Sequence, residues 1–156
     1  MHEQLGRPMR GVVGIAARCV CGNPTVVATE PRLPDGTPFP TFYSLTHPGA
    51  TAAMSALEAT HVMRELGELL AADEDVAAAY RAAHASYLTD RAAYGEVDEI
   101  AGISAGGMPT RVKCLHAVAA HSLAAGPGVN PIGDIALERS SWSPRRCSCA
   151  HPRVAA

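Results

Sequence analysis

The first third of the chain consists of short apolar runs separated by turn residues, a pattern typical of β-strands. The runs cover residues 11–18, 25–31 and 41–47. The sequences GNP at 22–24 and DG at 35–36 lie between them and favour tight turns. Because the connections are short, we predict an antiparallel sheet of about three strands.

After Pro48 the apolar residues recur at intervals of three or four, which indicates helices. The first of them are Met54, Leu57, Met63, Leu66 and Leu70. Asp73 is followed by two acidic residues, so it is predicted to cap a helix over 74–94. This part of the chain therefore supplies helices that can pack on the sheet.

Residues 106–134 combine the pattern of a buried helix with side chains that carry chemistry. We predict a helix near 109–125, with Pro109 at its first position and Gly126 just past its end. The side chains of this helix are apolar almost all round, as in a helix surrounded by protein. The predicted fold is therefore α+β, with the sheet packed against several helices and this helix at the centre.

From residue 140 onwards the apolar periodicity is lost, and Arg, Ser and Cys become frequent. We therefore expect one globular domain over residues 1–139 and a disordered tail over residues 140–156. The chain has 156 residues, which is enough for a sizeable core.

Composition narrows the classes of function. The formal net charge of −2 gives no basic surface for nucleic acid. No apolar run reaches the roughly 18 residues of a membrane span. The 5 cysteines are odd in number and not dense in the chain, which favours reduced thiols or metal ligands over a disulfide framework. We expect a cytoplasmic protein that binds no nucleic acid.

Several longer motifs carry a family resemblance. They are RC-x-x-G-x-P at 18–24, DGTPFPT at 35–41, LTHP at 45–48, AH-x-x-Y at 83–87, GGMPTRVKCLH at 106–116, AH at 120–121 and GPGVNPIGD at 126–134. Together they resemble the bacterial family called domain of unknown function 501 (DUF501), from about Gln4 to Asp134. Genes of that family often lie beside those of a septum-formation initiator and an exopolyphosphatase-like protein. The resemblance implies a role in cell division, the cell envelope or phosphate metabolism.

Cysteine and histidine residues suggest a metal site. Cys19, His47, Cys114 and His121 are the candidate ligands, because thiolate and imidazole are the donors that zinc prefers. Zinc or iron is the expected metal, and buried thiols with a hydrogen-bonded core histidine are the alternative. Cys147, Cys149 and His151 also resemble ligands, but no fourth ligand is near them in the sequence. Cys21 is a weaker candidate, because the family resemblance places it at a variable position.

The same segment offers a catalytic pair and an anion site. Cys114 is the candidate nucleophile, with His121 or His116 as its base. Backbone N–H groups and side chains that could hold a small anion come from Gly106, Gly107, Arg111, Lys113, Asn130 and Asp134.

The predicted function is that of a cytoplasmic small-ligand or metal-binding protein. If the protein is catalytic, we expect a hydrolase acting on an anionic, phosphate-bearing substrate. The alternative is a non-catalytic interaction or structural protein of the cell-division or cell-envelope machinery, which would have a protein partner.

Overall fold

A computed structural model describes residues 8–151. The first residues of the predicted domain, including Gln4, and the last five residues of the predicted tail lie outside the described residues. The described chain forms a three-stranded antiparallel sheet in the order β1-β2-β3 and five α-helices, which confirms the α+β class. The strands are β1 (Val12–Arg18), β2 (Pro24–Thr29) and β3 (Tyr43–Leu45).

The central strand β2 is buried at all of its six positions. It pairs with β1 on one side, where Ile15 faces Val27, and with β3 on the other, where Val26 faces Leu45. Irregularities interrupt the β1 register in three places. The sheet is therefore a short, irregular platform for the helices.

The helices follow the sheet in the sequence. They are α1 (Pro48–Glu58), α2 (Val62–Ala72), α3 (Glu74–Ala92), α4 (Leu115–Ala125) and α5 (Pro131–Arg139), with a short 3-10 helix at Asp98–Ile100. Asp73 caps α3 as predicted, because its side chain accepts hydrogen bonds from two backbone N–H groups of the first turn. No helix in the described residues combines the length and the apolar character needed to cross a membrane.

Helix α4 is the central buried helix. It packs against α1, α5 and all three strands, and its Val118 and Ala119 are fully buried. Sheet and helices thus meet around α4, which confirms the predicted arrangement.

The start of α4 differs from the prediction by six residues, since the helix begins at Leu115 and not near Pro109. Residues 106–114 form a loop in which the Gly106 carbonyl accepts hydrogen bonds from the N–H groups of Lys113 and Cys114. Positive φ angles at Gly106 (69°) and Gly107 (95°) allow this chain reversal. Backbone hydrogen bonds within this loop therefore outweigh the helix-start signal of proline.

Helix α3 is anchored to the sheet by a buried tyrosine. The Tyr87 hydroxyl accepts hydrogen bonds from the backbone N–H groups of Phe42, at 2.6 Å, and Tyr43, at 3.2 Å. One turn further on, the Arg91 guanidinium donates to the Pro40 and Ile100 carbonyls. These bonds satisfy the backbone of the loops beside α3, and so α3 holds the loops in place.

Candidate metal centre

The turn between β1 and β2 presents two cysteines. The Cys19 N–H donates to the Asn23 carbonyl and the Gly22 N–H donates to the Cys19 carbonyl, both at 2.8 Å. Gly22 has a φ of 83°, which favours glycine. The Arg18 guanidinium donates to the Gly22 carbonyl at 2.8 Å. The turn is therefore rigid, and it fixes Cys19 and Cys21 beside each other.

The C-terminal segment brings two more cysteines to this turn. The Sγ atoms of Cys19, Cys21, Cys147 and Cys149 all lie within 4.8 Å of one another. The Sγ atoms of Cys21 and Cys149 are 3.4 Å apart. Four thiolates around a zinc ion at about 2.3 Å would lie roughly 3.8 Å apart, so the cluster has the dimensions of a tetrathiolate site. These four cysteines could hold a metal ion.

Contacts with α1 and the sheet hold the C-terminal segment in this position. Trp142 is only 6% exposed, and its ring centroid lies 5.2 Å from that of His47. A Cβ atom added at Gly49 would lie 3.0 Å from Ser148 Oγ, so a glycine at this position lets the C-terminal segment approach α1 closely. The Asn23 side-chain amide donates to the His151 carbonyl at 2.8 Å. The described part of the predicted tail thus packs on the domain, while the domain limit at residue 139 stays a prediction.

His47 contacts the cluster as a hydrogen-bond donor. Its Nδ1 accepts from the N–H groups of Gly49 and Ala50, which caps α1. Nε2 therefore carries the ring proton and donates it to Cys149 Sγ at 3.1 Å. Burial lowers the pKa of His47, which keeps the ring neutral. Such outer hydrogen bonds orient metal ligands and stabilise thiolates.

The thiols of the cluster have unequal pKa values. A hydrogen bond from the Asn23 backbone lowers the pKa of Cys21 to about 6. Burial raises the pKa of Cys149 to about 12 and also raises that of Cys19. A Cys21 thiolate next to the protonated thiols of Cys19 and Cys149 is the arrangement expected without metal, because several unpaired thiolates cannot lie together in a partly buried place.

The four ligands predicted from sequence do not lie together. Cys19 belongs to the four-cysteine cluster and His47 lies beside it. Cys114 lies elsewhere, in a second group with Glu58 and His116. The described residues thus contain two groups that could hold a metal.

His121 lies in the core and is fully buried. Asn130 Oδ1 accepts the Gly133 N–H, so its amide nitrogen faces His121 Nδ1 at 3.2 Å and donates to it. The imidazole also stacks on Tyr43 with ring centroids 5.8 Å apart. His121 Nε2 has no hydrogen-bond partner among the described residues. Its role as a base stays a prediction.

The six residues predicted to bind an anion lie in the 106–114 loop and at the start of α5. Gly106 and Gly107 precede the true start of α4, and Arg111 and Lys113 are exposed. Asn130 caps α5, and the Asp134 carboxylate accepts the Gly128 N–H at 2.8 Å. The first N–H of α4, from Leu115, donates to a carboxylate oxygen of Glu58 at 2.6 Å. Anion binding by these residues stays a prediction.

Fold and site together define a small α+β protein with a four-cysteine cluster that could hold a metal ion. The chain belongs to the DUF501 family, described as a protein of unknown function, whose model matches residues 15–138. No curated protein and no solved structure matches the chain. Cys147 and Cys149 lie beyond the matched residues, so half of the cluster comes from outside the family segment.

Three members of the cluster are absent from the ligands predicted from sequence. The family resemblance places Cys21 at a variable position, and Cys147 and Cys149 have no fourth ligand near them in the sequence. The available signal was the repetition of one short pattern, since both ends of the chain carry a C-x-C sequence. Two such pairs supply four thiols, which is a complete ligand set for zinc.

Proposed function

We propose that this protein binds a zinc ion through Cys19, Cys21, Cys147 and Cys149, and that the ion fastens the C-terminal segment to the β1–β2 turn. The observation that carries the proposal is the approach of all four Sγ atoms to within 4.8 Å of one another. Four protein thiolates fill a tetrahedral site, so such a centre is structural and not catalytic.

Zinc is favoured over iron as the bound metal. Both ions accept four thiolates, but nitrogen and sulphur sites hold Zn²⁺ more tightly than Fe²⁺ in the usual order of affinities. Metal-bound thiols also fit a reducing compartment, which supports the cytoplasmic location as part of this proposal. A closed centre leaves no free position for substrate, and so it gives no support to the predicted hydrolase activity.

The single tryptophan of the chain reports directly on this centre. Trp142 is buried against His47, five residues before the first cysteine of the C-terminal pair. Purified protein should contain zinc by elemental analysis, and iron in its place would correct the choice of metal. Removal of the metal with a chelator under reducing conditions should shift the Trp142 emission to the red, because the remaining contacts hold the segment on the domain less firmly than the metal does, and added Zn²⁺ should reverse the shift.

Variants separate this centre from other thiols. Cys149→Ser should show red-shifted Trp142 emission from the start and no response to chelator. Cys114→Ser is the matched control, since Cys114 lies outside the cluster and its loss should leave the Trp142 response unchanged. The proposal fails if folded, reduced wild-type protein gives the same Trp142 emission with and without zinc.

A further inference from the structure

A second group of metal-binding side chains lies where α1 ends and α4 begins. Glu58 is the last residue of α1, Cys114 is the N-cap of α4, and His116 is in the first turn of α4. Their ligand atoms lie within 4.8 Å of one another. His116 Nδ1 is 3.2 Å from Glu58 Oε1 and 3.9 Å from Cys114 Sγ. A carboxylate, a thiol and an imidazole thus lie close enough together to bind one metal ion.

The tautomer of His116 follows from its other ring nitrogen. Nε2 lies 3.2 Å from the carbonyl oxygen of Thr51 and 3.1 Å from Ser55 Oγ, both on α1. A carbonyl only accepts hydrogen bonds, so Nε2 carries a proton. In the neutral ring the lone pair of Nδ1 therefore faces the Glu58 carboxylate. Two electron-rich atoms at this distance need a cation between them, either a proton or a metal ion.

The hydrogen bond to Thr51 is the kind that accompanies a histidine ligand. Ligating histidines usually donate their second N–H to a carbonyl or carboxylate, which fixes the ring in its binding orientation. Ser55 and Glu58 lie four and seven residues after Thr51, so all three lie on one face of α1 and hold His116 together. The imidazole is thus oriented toward the carboxylate and the thiol before any ion arrives.

This second group is open to solvent. The side chains of His116 and Glu58 are 27% and 28% exposed. Cys114 and His116 also line a pocket of about 400 Å³, whose other walls include Tyr43 and Ser44 of β3. A small molecule in this pocket would lie beside the group. By contrast with the four-cysteine cluster, three protein donors here leave one position vacant.

We infer that Glu58, Cys114 and His116 form a second zinc site with an open fourth coordination position next to this pocket. Around a tetrahedral zinc ion, nitrogen and oxygen ligands lie about 3.3 Å apart and nitrogen and sulphur ligands about 3.5 Å apart. The observed 3.2 Å and 3.9 Å need only small side-chain movements. Water or a small anionic ligand would occupy the fourth position, as in zinc sites that carry out chemistry.

Metal stoichiometry tests the inference. Reduced wild-type protein, reconstituted with Zn²⁺ alone and passed through a desalting column, should retain about two zinc ions per chain, one at each site. Cys147→Ser/Cys149→Ser should retain the second ion only. In that double variant, His116→Ala should weaken zinc binding by at least about tenfold in a competition titration with a chromophoric chelator. His61→Ala is the matched control, because His61 is exposed and makes no capping hydrogen bond.

Glu58 needs a conservative variant because its Oε1 also accepts the Leu115 N–H at 2.6 Å. Glu58→Gln keeps an oxygen for that hydrogen bond and removes the anionic ligand. It should weaken zinc binding while the circular dichroism spectrum stays that of the wild type.

The outcomes distinguish this site from the four-cysteine centre. The inference is overturned if wild-type protein retains a single zinc ion that Cys147→Ser/Cys149→Ser removes, or if folded Glu58→Gln and His116→Ala bind zinc as before. If the four-cysteine proposal alone fails, one ion remains, which His116→Ala removes and Cys147→Ser/Cys149→Ser does not.

Discussion

Replacing glycine by alanine at Gly133 and, as a control, at Gly67 tests the packing around α4. Both glycines lie within helices, but Gly133 of α5 is buried and Gly67 of α2 is exposed. A Cβ atom at Gly133 would lie 2.7 Å from the Val118 carbonyl carbon and closer still to the carbonyl oxygen and to Ser122 Oγ. A Cβ atom at Gly67 would have no neighbour within 4 Å.

The packing predicts opposite signs for the two substitutions. Alanine stabilises a helix interior by about 0.5–1 kcal/mol relative to glycine, and this is the expected gain for Gly67→Ala. At Gly133 the ordinary contact limit of 3.4 Å requires α5 to move by more than half an ångström away from α4. Overpacking of this kind costs about 1–3 kcal/mol, so Gly133→Ala should be destabilising even after the helix-propensity gain.

Urea unfolding followed by circular dichroism measures both effects. Because the helix-propensity gain is common to both variants, their unfolding free energies should differ by the overpacking cost, roughly 1–3 kcal/mol, under reducing conditions with zinc present. A Gly133→Ala protein as stable as the wild type would refute the close approach of α4 and α5. The result also bears on the GPGVNPIGD motif, because Asn130 and Asp134 cap and brace the same helix start.

Two further predictions concern ionisation. In metal-free protein at about pH 7, Cys21 should be alkylated before the other cysteines and several-fold faster than a free cysteine. Its pKa of about 6 leaves it mostly thiolate, and the lower nucleophilicity of such a thiolate offsets only part of that gain. Peptide mapping that finds Cys149 modified first would contradict this prediction. Burial lowers the pKa of His121 below its ordinary value of 6.5, so stability is full above that pH and falls as the pH decreases toward the folded-state pKa. The loss of unfolding free energy is at most about 1.4 kcal/mol per pH unit. His121→Leu should therefore flatten the pH dependence of the urea midpoint between about pH 7 and 5. An unchanged slope in the variant would count against this role of His121.

The fold was predictable where local chemistry and packing agree. The strands, the cap of α3 by Asp73 and the burial of α4 all follow from periodicity and turn residues. The start of α4 was not predictable, because Pro109 is a local signal and the bonds from Lys113 and Cys114 to Gly106 exist only in the folded loop. The start of α4 thus depends on hydrogen-bond partners that come together only when the loop folds.

The candidate metal sites were likewise predictable only in part. Sequence identified the residue types, and it included Cys19 and Cys114 among the ligands. The sequence does not show that Cys21 and Cys149, which are 128 residues apart, come into contact. Distance along the sequence does not determine which parts of a folded domain lie side by side. Glu58 was not predicted as a ligand, because a carboxylate at a helix end is common. Only its position next to His116 in the folded protein marks it as a candidate.

Helix α1 connects the two groups physically, and its packing decides whether they influence each other. His47 caps its first turn and contacts Cys149, while Glu58 at its other end faces His116. The helix has 11 residues, so its ends are roughly 15 Å apart. Between them Ala50, Ala53 and Met54 are buried in the core, which holds α1 in place whether or not His47 meets a metal-bound thiolate. Sites separated by more than about 10 Å on a rigidly packed element usually act additively. The two groups should therefore bind independently, and this independence is what allows the zinc count of each variant to be assigned to a single site.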